Sequence, residues 1–435
     1  MYTPIETLYD IYLNGGKICT DTRQIEPGCI FFALKGDKFD GNKYALEALQ
    51  SGAGYAVVDD TELGTNSRLL LVEDVLTALQ DLARHHRKTF TFPVIGLTGS
   101  NGKTTTKELI AKVLGMKFST YATKGNLNNH IGVPLTLLSI DKDKHEMAIV
   151  EMGANHQQEI ALLCSIAQPT HGLITNIGKA HLEGFGGIQG IVKGKGELYD
   201  FLSKKKGIVF VNSKNETLME MVSKRRAFGE IVFYCSESSQ VNPELIQESP
   251  VIIYKGNNHR RVTTHLPGQY NFDNICAALA IGKYLGVSDE DAHEAIAAYE
   301  PDNNRSQVVK KGSNTIIMDA YNANPSSMAA AIANFDRMQA SKKMLILGDM
   351  FELGDAAPEE HLLLGQQIAA GKFDIVILAG NLMQHALAAL PKAYYFPDKF
   401  SLHNWVMDNP QENTFILIKG SRGMALETIL PLMKD

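Results

Sequence analysis

The chain lacks the features that define several large protein classes. No apolar run approaches the ~18 residues that a membrane-crossing helix requires. The opening segment, MYTPIETLYD, carries acid early and has no basic-then-apolar order, so a secretory leader is not expected. Basic charge is not in surplus: 42 Lys+Arg stand against 48 Asp+Glu, for a net charge of −6. A nucleic-acid binder would need a basic face to displace counterions, so no nucleic-acid partner is expected. Cysteine is sparse, and Cys19, Cys29, Cys164, Cys235 and Cys276 form no CxxC pair. Such an odd, scattered set argues against a disulfide framework or a zinc ribbon and fits buried thiols in a reducing, cytoplasmic setting. Internal repeats and low-complexity tracts are missing as well. What is left is an ordinary globular composition, 44% apolar and 21% charged. Its 435 residues suggest about three domains at roughly 150 residues each.

Three stretches separate along the chain. Residues 1–88 carry short apolar runs, Ile30-Phe31-Phe32-Ala33-Leu34 and Ala56-Val57-Val58, punctuated by turns at Pro27-Gly28, Lys35-Gly36-Asp37 and Asp40-Gly41. From Asp74 to about Arg87 the spacing of Val75, Leu76, Leu79 and Leu82 predicts a helix. Residues 89–302 hold strand-like runs at 92–97, 147–150 and 171–175 with helical patterns between them, which reads as a βαβ series around a mostly parallel sheet. A more β-rich part follows, with runs at 207–211, 231–234 and 251–254, and then an Ala-rich helix around 275–285. Residues 303–435 contain nearly pure apolar runs at 315–318, 344–347, 375–378 and 415–418, as expected of strands covered on both faces. The expected fold class is α/β in three domains: a small N-terminal α/β domain, a central P-loop domain, and a C-terminal Rossmann-like domain.

The strongest local signal is Gly96-Leu97-Thr98-Gly99-Ser100-Asn101-Gly102-Lys103-Thr104-Thr105. A strand runs into a glycine-bearing turn and then into a helix with Leu109, Ile110, Val113 and Leu114 as its apolar positions. Gly99 and Gly102 allow backbone N–H groups to curl around phosphate oxygens, and the helix N-terminus adds its positive end. Lys103 can reach the β and γ phosphates, and the Thr104 hydroxyl can ligate Mg²⁺. Leu97 stands where the standard spacing has its first glycine, so this is a shorter Gly-x-x-Gly-Lys-Thr loop. Such a loop serves GTPases, kinases and ligases alike. The chain has no Asn-Lys-x-Asp segment of the kind that reads guanine.

Further candidates stand at strand ends. Glu151 closes an apolar strand, where a carboxylate can hold Mg²⁺ or orient water. In Thr175-Asn176-Ile177-Gly178-Lys179-Ala180-His181, His181 is open to two readings, a metal or phosphate contact and an ordinary polar residue. Lys193 and Lys195 lie in a helical pattern that contains Gly190, Gly194 and Gly196. Each interior glycine costs ~1 kcal/mol against alanine, so backbone or ligand should come close there.

These motifs, in this order, resemble the Mur ligase superfamily, which makes peptide-type bonds with ATP. The likeness covers essentially the whole chain: the loop 98–105, the asparagine-rich Lys124-Gly125-Asn126-Leu127-Asn128-Asn129-His130, Glu151-Met152-Gly153-Ala154, the His181 turn, and Asn303-Asn304-Arg305. Within the family, Asp319-Ala320-Tyr321-Asn322-Ala323-Asn324-Pro325-Ser326-Ser327-Met328 is similar to the branch that adds D-alanyl-D-alanine to UDP-N-acetylmuramoyl-tripeptide. The sister branch that adds the third peptide residue usually carries Asp-Asn-Pro-Arg, and that tetrapeptide is missing here. Residues 347–354 and 419–424 support the same branch.

The resemblance implies an ATP- and Mg²⁺-dependent ligase, cytoplasmic and monomeric, whose N-terminal domain binds the UDP-sugar. It implies that Gly99, Ser100, Asn101, Gly102, Lys103, Thr104 and Thr105 hold the phosphates. Thr104 and Glu151 would ligate one Mg²⁺, and His181 and a carbamylated Lys195 a second. Asn271, Asn274, Arg305 and Asp319 would handle adenine, γ-phosphate and ribose, and Lys103, His181, Lys195 and Arg305 would be catalytic. Thr22, Arg23, Lys35, Asn126, Asn128, Asn129, Asn322 and Asn324 would contact the nucleotide-linked peptide or the dipeptide. Asn42-Lys43 departs from the histidine often found after Asp40-Gly41.

Overall fold

A computed structural model describes residues 2–64, 66–237, 239–257, 259–302 and 304–434. Asn303 of the Asn303-Asn304-Arg305 motif lies outside the described residues. The first sheet is parallel throughout, with strands Ile18–Cys19, Ile30–Phe32, Tyr55–Val58 and Leu69–Leu71 side by side in that order. A small hairpin of Lys35–Gly36 and Phe39–Asp40 projects beside it. The helix Val75–Arg87 starts at Asp74, whose carboxylate accepts the Thr77 N–H at 2.7 Å. Its buried Val75, Leu79, Leu82 and Ala83 belong to one apolar core that runs on into the central domain. The first domain is therefore cemented to the second by a shared hydrophobic seam.

The central sheet is all parallel, in the order Glu230–Tyr234, Ile208–Asn212, His171–Ile174, Val94–Thr98, Met147–Glu151, Thr120–Ala122. Helices cover both faces, and the neighbouring strands His171–Ile174, Val94–Thr98 and Met147–Glu151 are buried at every residue. Apolar runs without alternation are the sequence consequence of that double cover. The β-rich part divides. The 231–234 run is an edge strand of the large sheet, whereas residues 253–255 pair antiparallel with Glu244–Gln247 and Arg261–Thr263 in a separate ribbon. Short apolar runs of this length look alike in sequence, and only the partner decides the sheet.

The third sheet runs Gln307–Lys311, Asn314–Asp319, Phe415–Lys419, Lys343–Gly348, Ile375–Ala379, Tyr394–Phe396. Only its first pair is antiparallel. Each face has its own apolar cluster.

The glycines of the helix Ile188–Lys205 have a packing reason. A Cβ on Gly190 would stand 1.8 Å from the Phe185 carbonyl oxygen, and one on Gly194 would stand 2.4 Å from the Phe185 ring. The preceding turn is pressed against this helix, which carries Lys195 on the same side of the domain. Gly190→Ala improves intrinsic helix propensity by ~1 kcal/mol. Overpacking against a fixed carbonyl typically costs about 1–3 kcal/mol. The variant is therefore expected to unfold at lower temperature than the native protein in a thermal melt, and an increase would refute the packing explanation.

Candidate active site

The glycine loop is shaped by its neighbours. Gly99 has φ +150°, and a Cβ there would lie 1.9 Å from the Thr175 hydroxyl. Gly102 is left-handed at φ +77° and begins the helix Lys103–Gly115 without any side-chain cap. The first-turn N–H groups of that helix thus lack a side-chain partner, the arrangement that suits a phosphate. The turn after strand His171–Ile174 grips the loop from the side. Thr175 Oγ1 and Asn176 Nδ2 both donate to the Asn101 carbonyl, at 2.6 and 3.0 Å, and Asn101 N–H donates to Asn176 Oδ1 at 3.0 Å. Ser100 Oγ donates to the Gly178 carbonyl at 3.0 Å and accepts from its N–H at 2.9 Å.

Lys103 folds back over the loop and donates to the Gly99 carbonyl at 2.7 Å. Burial pushes its amine down, Glu151 opposes that, and Arg305 adds to the lowering. Thr104 Oγ1 and Asn128 Nδ2 both donate to Glu151 Oε1, at 3.2 and 2.9 Å. Oε2 of the same carboxylate is buried, has no hydrogen-bond partner, and lies 3.8 Å from Lys107 Nζ. A buried, orphaned carboxylate oxygen beside a threonine hydroxyl is a donor set that fits Mg²⁺, which takes one or two carboxylates and completes its shell with phosphate and water. The described residues hold no group of three or more His, Cys, Asp or Glu suited to a metal.

His181 caps the short helix Leu182–Phe185 in a left-handed conformation, and its Nδ1 pairs with Glu352 of the third domain. Lys195 is 1% exposed. Its Nζ donates to the Ala154 carbonyl at 3.1 Å and stands 4.9 Å from the Phe185 ring centroid. Burial drives its pKa well below the ordinary lysine value, Lys103 lowers it further, and Glu159 and Glu197 oppose the shift. The ammonium form is therefore less favourable here than on a solvent-exposed lysine.

The third domain supplies the opposite wall. The Arg305 guanidinium carbon sits over Tyr321, 3.6 Å from the ring centroid, and its Nε is buried without a hydrogen-bond partner. Asp319 is engaged on both oxygens, by Ser306 N–H at 3.2 Å and by Lys419 Nζ at 2.6 Å. Asn322 accepts the Ala323 N–H on its own side chain and Lys419 Nζ on its carbonyl. Asn324 is also taken at both ends. Its Oδ1 caps the helix Pro325–Arg337 through Ser327 N–H at 2.9 Å, and its Nδ2 donates across the domain boundary to Asn101 Oδ1 at 2.7 Å. In this arrangement Asn324 joins the phosphate loop to the third domain.

Between the two walls lies a cleft of about 860 Å³, within the usual range for a small-molecule site. Of the residues singled out in the sequence, Ser100, Asn101, Gly102, Lys103, Thr105, Asn126, Asn128, Asn129, Glu151, His181, Asn271, Arg305, Asp319, Asn322 and Asn324 line it. Gly99, Thr104, Lys195 and Asn274 stand behind that lining. Asn274 lies against Gly102 and donates to Asn271 Oδ1 at 3.0 Å, so it props the loop from below. Thr22, Arg23 and Lys35 belong to the first domain and do not reach this cleft. Arg23 is tied to Asp21, and Lys35 to Asp59 at 2.8 Å. The buried Asn42 bridges Asp40 and Asp59 with its amide, a structural use for the residue that replaces the usual histidine.

Sequence reasoning gave no role to Asn176, Tyr270, Tyr321, Glu352, Lys419 or Arg422, all of which line the cleft. Most of them stand inside motifs that were noted, at the polar ends of apolar strands, and that position was the available signal.

Comparison with known proteins matches all three domains. Residues 17–87 match the model "Mur ligase family, catalytic domain", residues 97–282 the "Mur ligase middle domain", and residues 304–422 "Mur ligase, glutamate ligase domain". A relative from Bacillus subtilis (strain 168), named UDP-N-acetylmuramoyl-tripeptide--D-alanyl-D-alanine ligase, is 36% identical over 426 residues, 95% of this chain and 92% of the relative. A crystal structure of MurF from Acinetobacter baumannii superposes with a TM-score of 0.84 at 33% identity, covering 95% of this chain and 92% of that one. A MurF ligase from Thermotoga maritima, solved in complex with ADP, gives a TM-score of 0.84 at 28% identity over 97% of each chain. With its phosphate loop, its three sheets and its nearly full-length relatives all in agreement, the chain belongs to the Mur ligase family.

Proposed function

We propose that the protein is an ATP-dependent amide ligase that adds D-alanyl-D-alanine to UDP-N-acetylmuramoyl-tripeptide. The observation that carries this reading is one cleft with a phosphate loop and Glu151 on one wall and Arg305, Asp319 and Asn322 of the third domain on the other. A kinase needs only the first wall and one acceptor; a ligase needs a second wall to bring an amine. The Bacillus relative's name supplies the two substrates, and the Thermotoga structure supplies the nucleotide. A nucleotide-linked peptide joined at the expense of ATP puts the reaction in the cytoplasm.

The chemistry follows from charge. A carboxylate is a poor electrophile, so an oxygen of the tripeptide's terminal carboxylate first attacks the γ-phosphorus as the bond to ADP breaks. The dipeptide amine then attacks the acyl carbon, phosphate leaves, and the amine gives up its proton. Lys103 and Arg305 neutralise oxygens of the transferring group, and the first-turn N–H groups at Lys103 and Thr104 orient the phosphates. Mg²⁺, when bound, spreads the phosphate charge. Thr104 and Glu151 would hold it, with His181 and a carbamate on Lys195 at a second position. Lys195 suits that modification because burial disfavours its ammonium form, and the neutral amine is the form that reacts with CO₂. Closing the third domain over the loop excludes water from the acyl phosphate.

Turnover of UDP-N-acetylmuramoyl-tripeptide with ATP, Mg²⁺ and a panel of amines tests the reading: phosphate release should require D-alanyl-D-alanine. Consumption of ATP without an amine, with a phosphorylated product building up, would mark a kinase instead. Removing the Lys103 cation as Lys103→Ala should lower kcat by about 100- to 1,000-fold, the usual loss for one transition-state donor. Ordinary turnover in that variant contradicts the assignment. Intact-mass analysis should find one CO₂ added at Lys195 and lost on acidification, and Lys195→Ala should be nearly inactive. Full activity in Lys195→Ala would eliminate the carbamate.

A further inference from the structure

Six cationic or potentially cationic side chains line the cleft: Lys103, His130, His181, Arg305, Lys419 and Arg422. Lys419 is held by Asp319, and His181 is paired with Glu352. Lys103 and Arg305 serve the transferring phosphoryl group in the reading above. His130 is exposed. Arg422 is the remaining fixed cation. It is exposed, and among the described residues no carboxylate is within ion-pair distance of it. Its Nη1 donates to the Tyr321 hydroxyl at 2.7 Å, and its guanidinium carbon stands 4.7 Å from the Tyr321 ring centroid.

Tyr321 therefore carries two guanidinium groups, Arg305 on its face and Arg422 at its hydroxyl. Two like charges on one ring repel, and an anion between or beside them relieves that repulsion. Distances to a common centroid keep the two guanidinium carbons within about 8 Å of each other, the reach of two extended residues at ~3.3–3.6 Å each. Arg422 therefore lies within reach of the far end of a dipeptide whose near end is beside Arg305.

We infer that Arg422, oriented by Tyr321, binds the free carboxylate of the incoming dipeptide and so selects an acceptor with an acidic end. This rests on the ligase reading. The dipeptide's amine must meet the acyl phosphate near Arg305, so its carboxylate has to be neutralised elsewhere in the cleft, and Arg422 is the fork of donors there that has no carboxylate partner among the described residues.

The test crosses two changes: Arg422→Gln in the enzyme, and an amide in place of the carboxylate in D-alanyl-D-alanine. The native enzyme should show a KM for the amide about 10- to 100-fold above that for the acid, the range for one charge-assisted contact. Arg422→Gln should raise the KM for the acid to a similar extent, leave the KM for the amide nearly unchanged, and keep the KM for ATP. Arg422→Lys should recover part of the preference. A native enzyme that uses acid and amide equally overturns the assignment, and so does an Arg422→Gln enzyme that loses the same factor with both. A native enzyme that accepts no dipeptide at all overturns the ligase reading, and this inference with it.

Discussion

The structure depends on how the Asn101 peptide is held. A phosphate loop works only if its N–H groups point inward before the ligand arrives, and a glycine-rich segment has no preference of its own for that shape. Here the shape is imposed from outside, by Thr175 and Asn176 on the Asn101 carbonyl and by Ser100 on Gly178. These partners come from the end of the adjacent parallel strand His171–Ile174, which pairs directly with Val94–Thr98. Two neighbouring strands in register thus fix two neighbouring turns, and the binding surface is a consequence of sheet pairing.

The same residue carries the coupling to the third domain. Asn101 is gripped through its backbone by the central domain and touched through its side chain by Asn324. Beside it, Lys179 N–H donates to Ser326 Oγ at 2.9 Å and Lys179 Nζ pairs with Glu360 at 2.5 Å. Farther away, Arg337 forks onto Glu248, just after the ribbon strand Glu244–Gln247. Most of these contacts are polar and partly wet, so individually they contribute little to stability. Their value is geometric: they set the third domain's wall opposite the loop, with Arg305 and Arg422 facing it.

Much of this was legible in the sequence, and what was not has physical reasons. The loop, its strand and its helix could be read because glycine, lysine and threonine at fixed spacing have a mechanical meaning. The apolar strands of the third domain could be read because double burial leaves no alternation. The fate of residues 231–234 could not, since an edge strand and a ribbon strand have the same composition. The glycines around Lys195 signalled close approach, and the approaching groups are the neighbouring Phe185 turn at Gly190 and Gly194 and Arg225 at Gly196. The family resemblance implied a substrate contact for Asn324. That both ends of its amide are already used follows only from the position of Asn101, 223 residues earlier.

The central claim is that the terminal carboxylate of the nucleotide-linked peptide takes the γ-phosphoryl group before any amine attacks. The most direct measurement labels that carboxylate with heavy oxygen and follows the label through one turnover with ATP and D-alanyl-D-alanine. An acyl phosphate requires that one labelled oxygen leave with the inorganic phosphate and that the other stay in the new amide. Unlabelled phosphate would mean that the carboxylate never bonded to phosphorus, and would contradict the account.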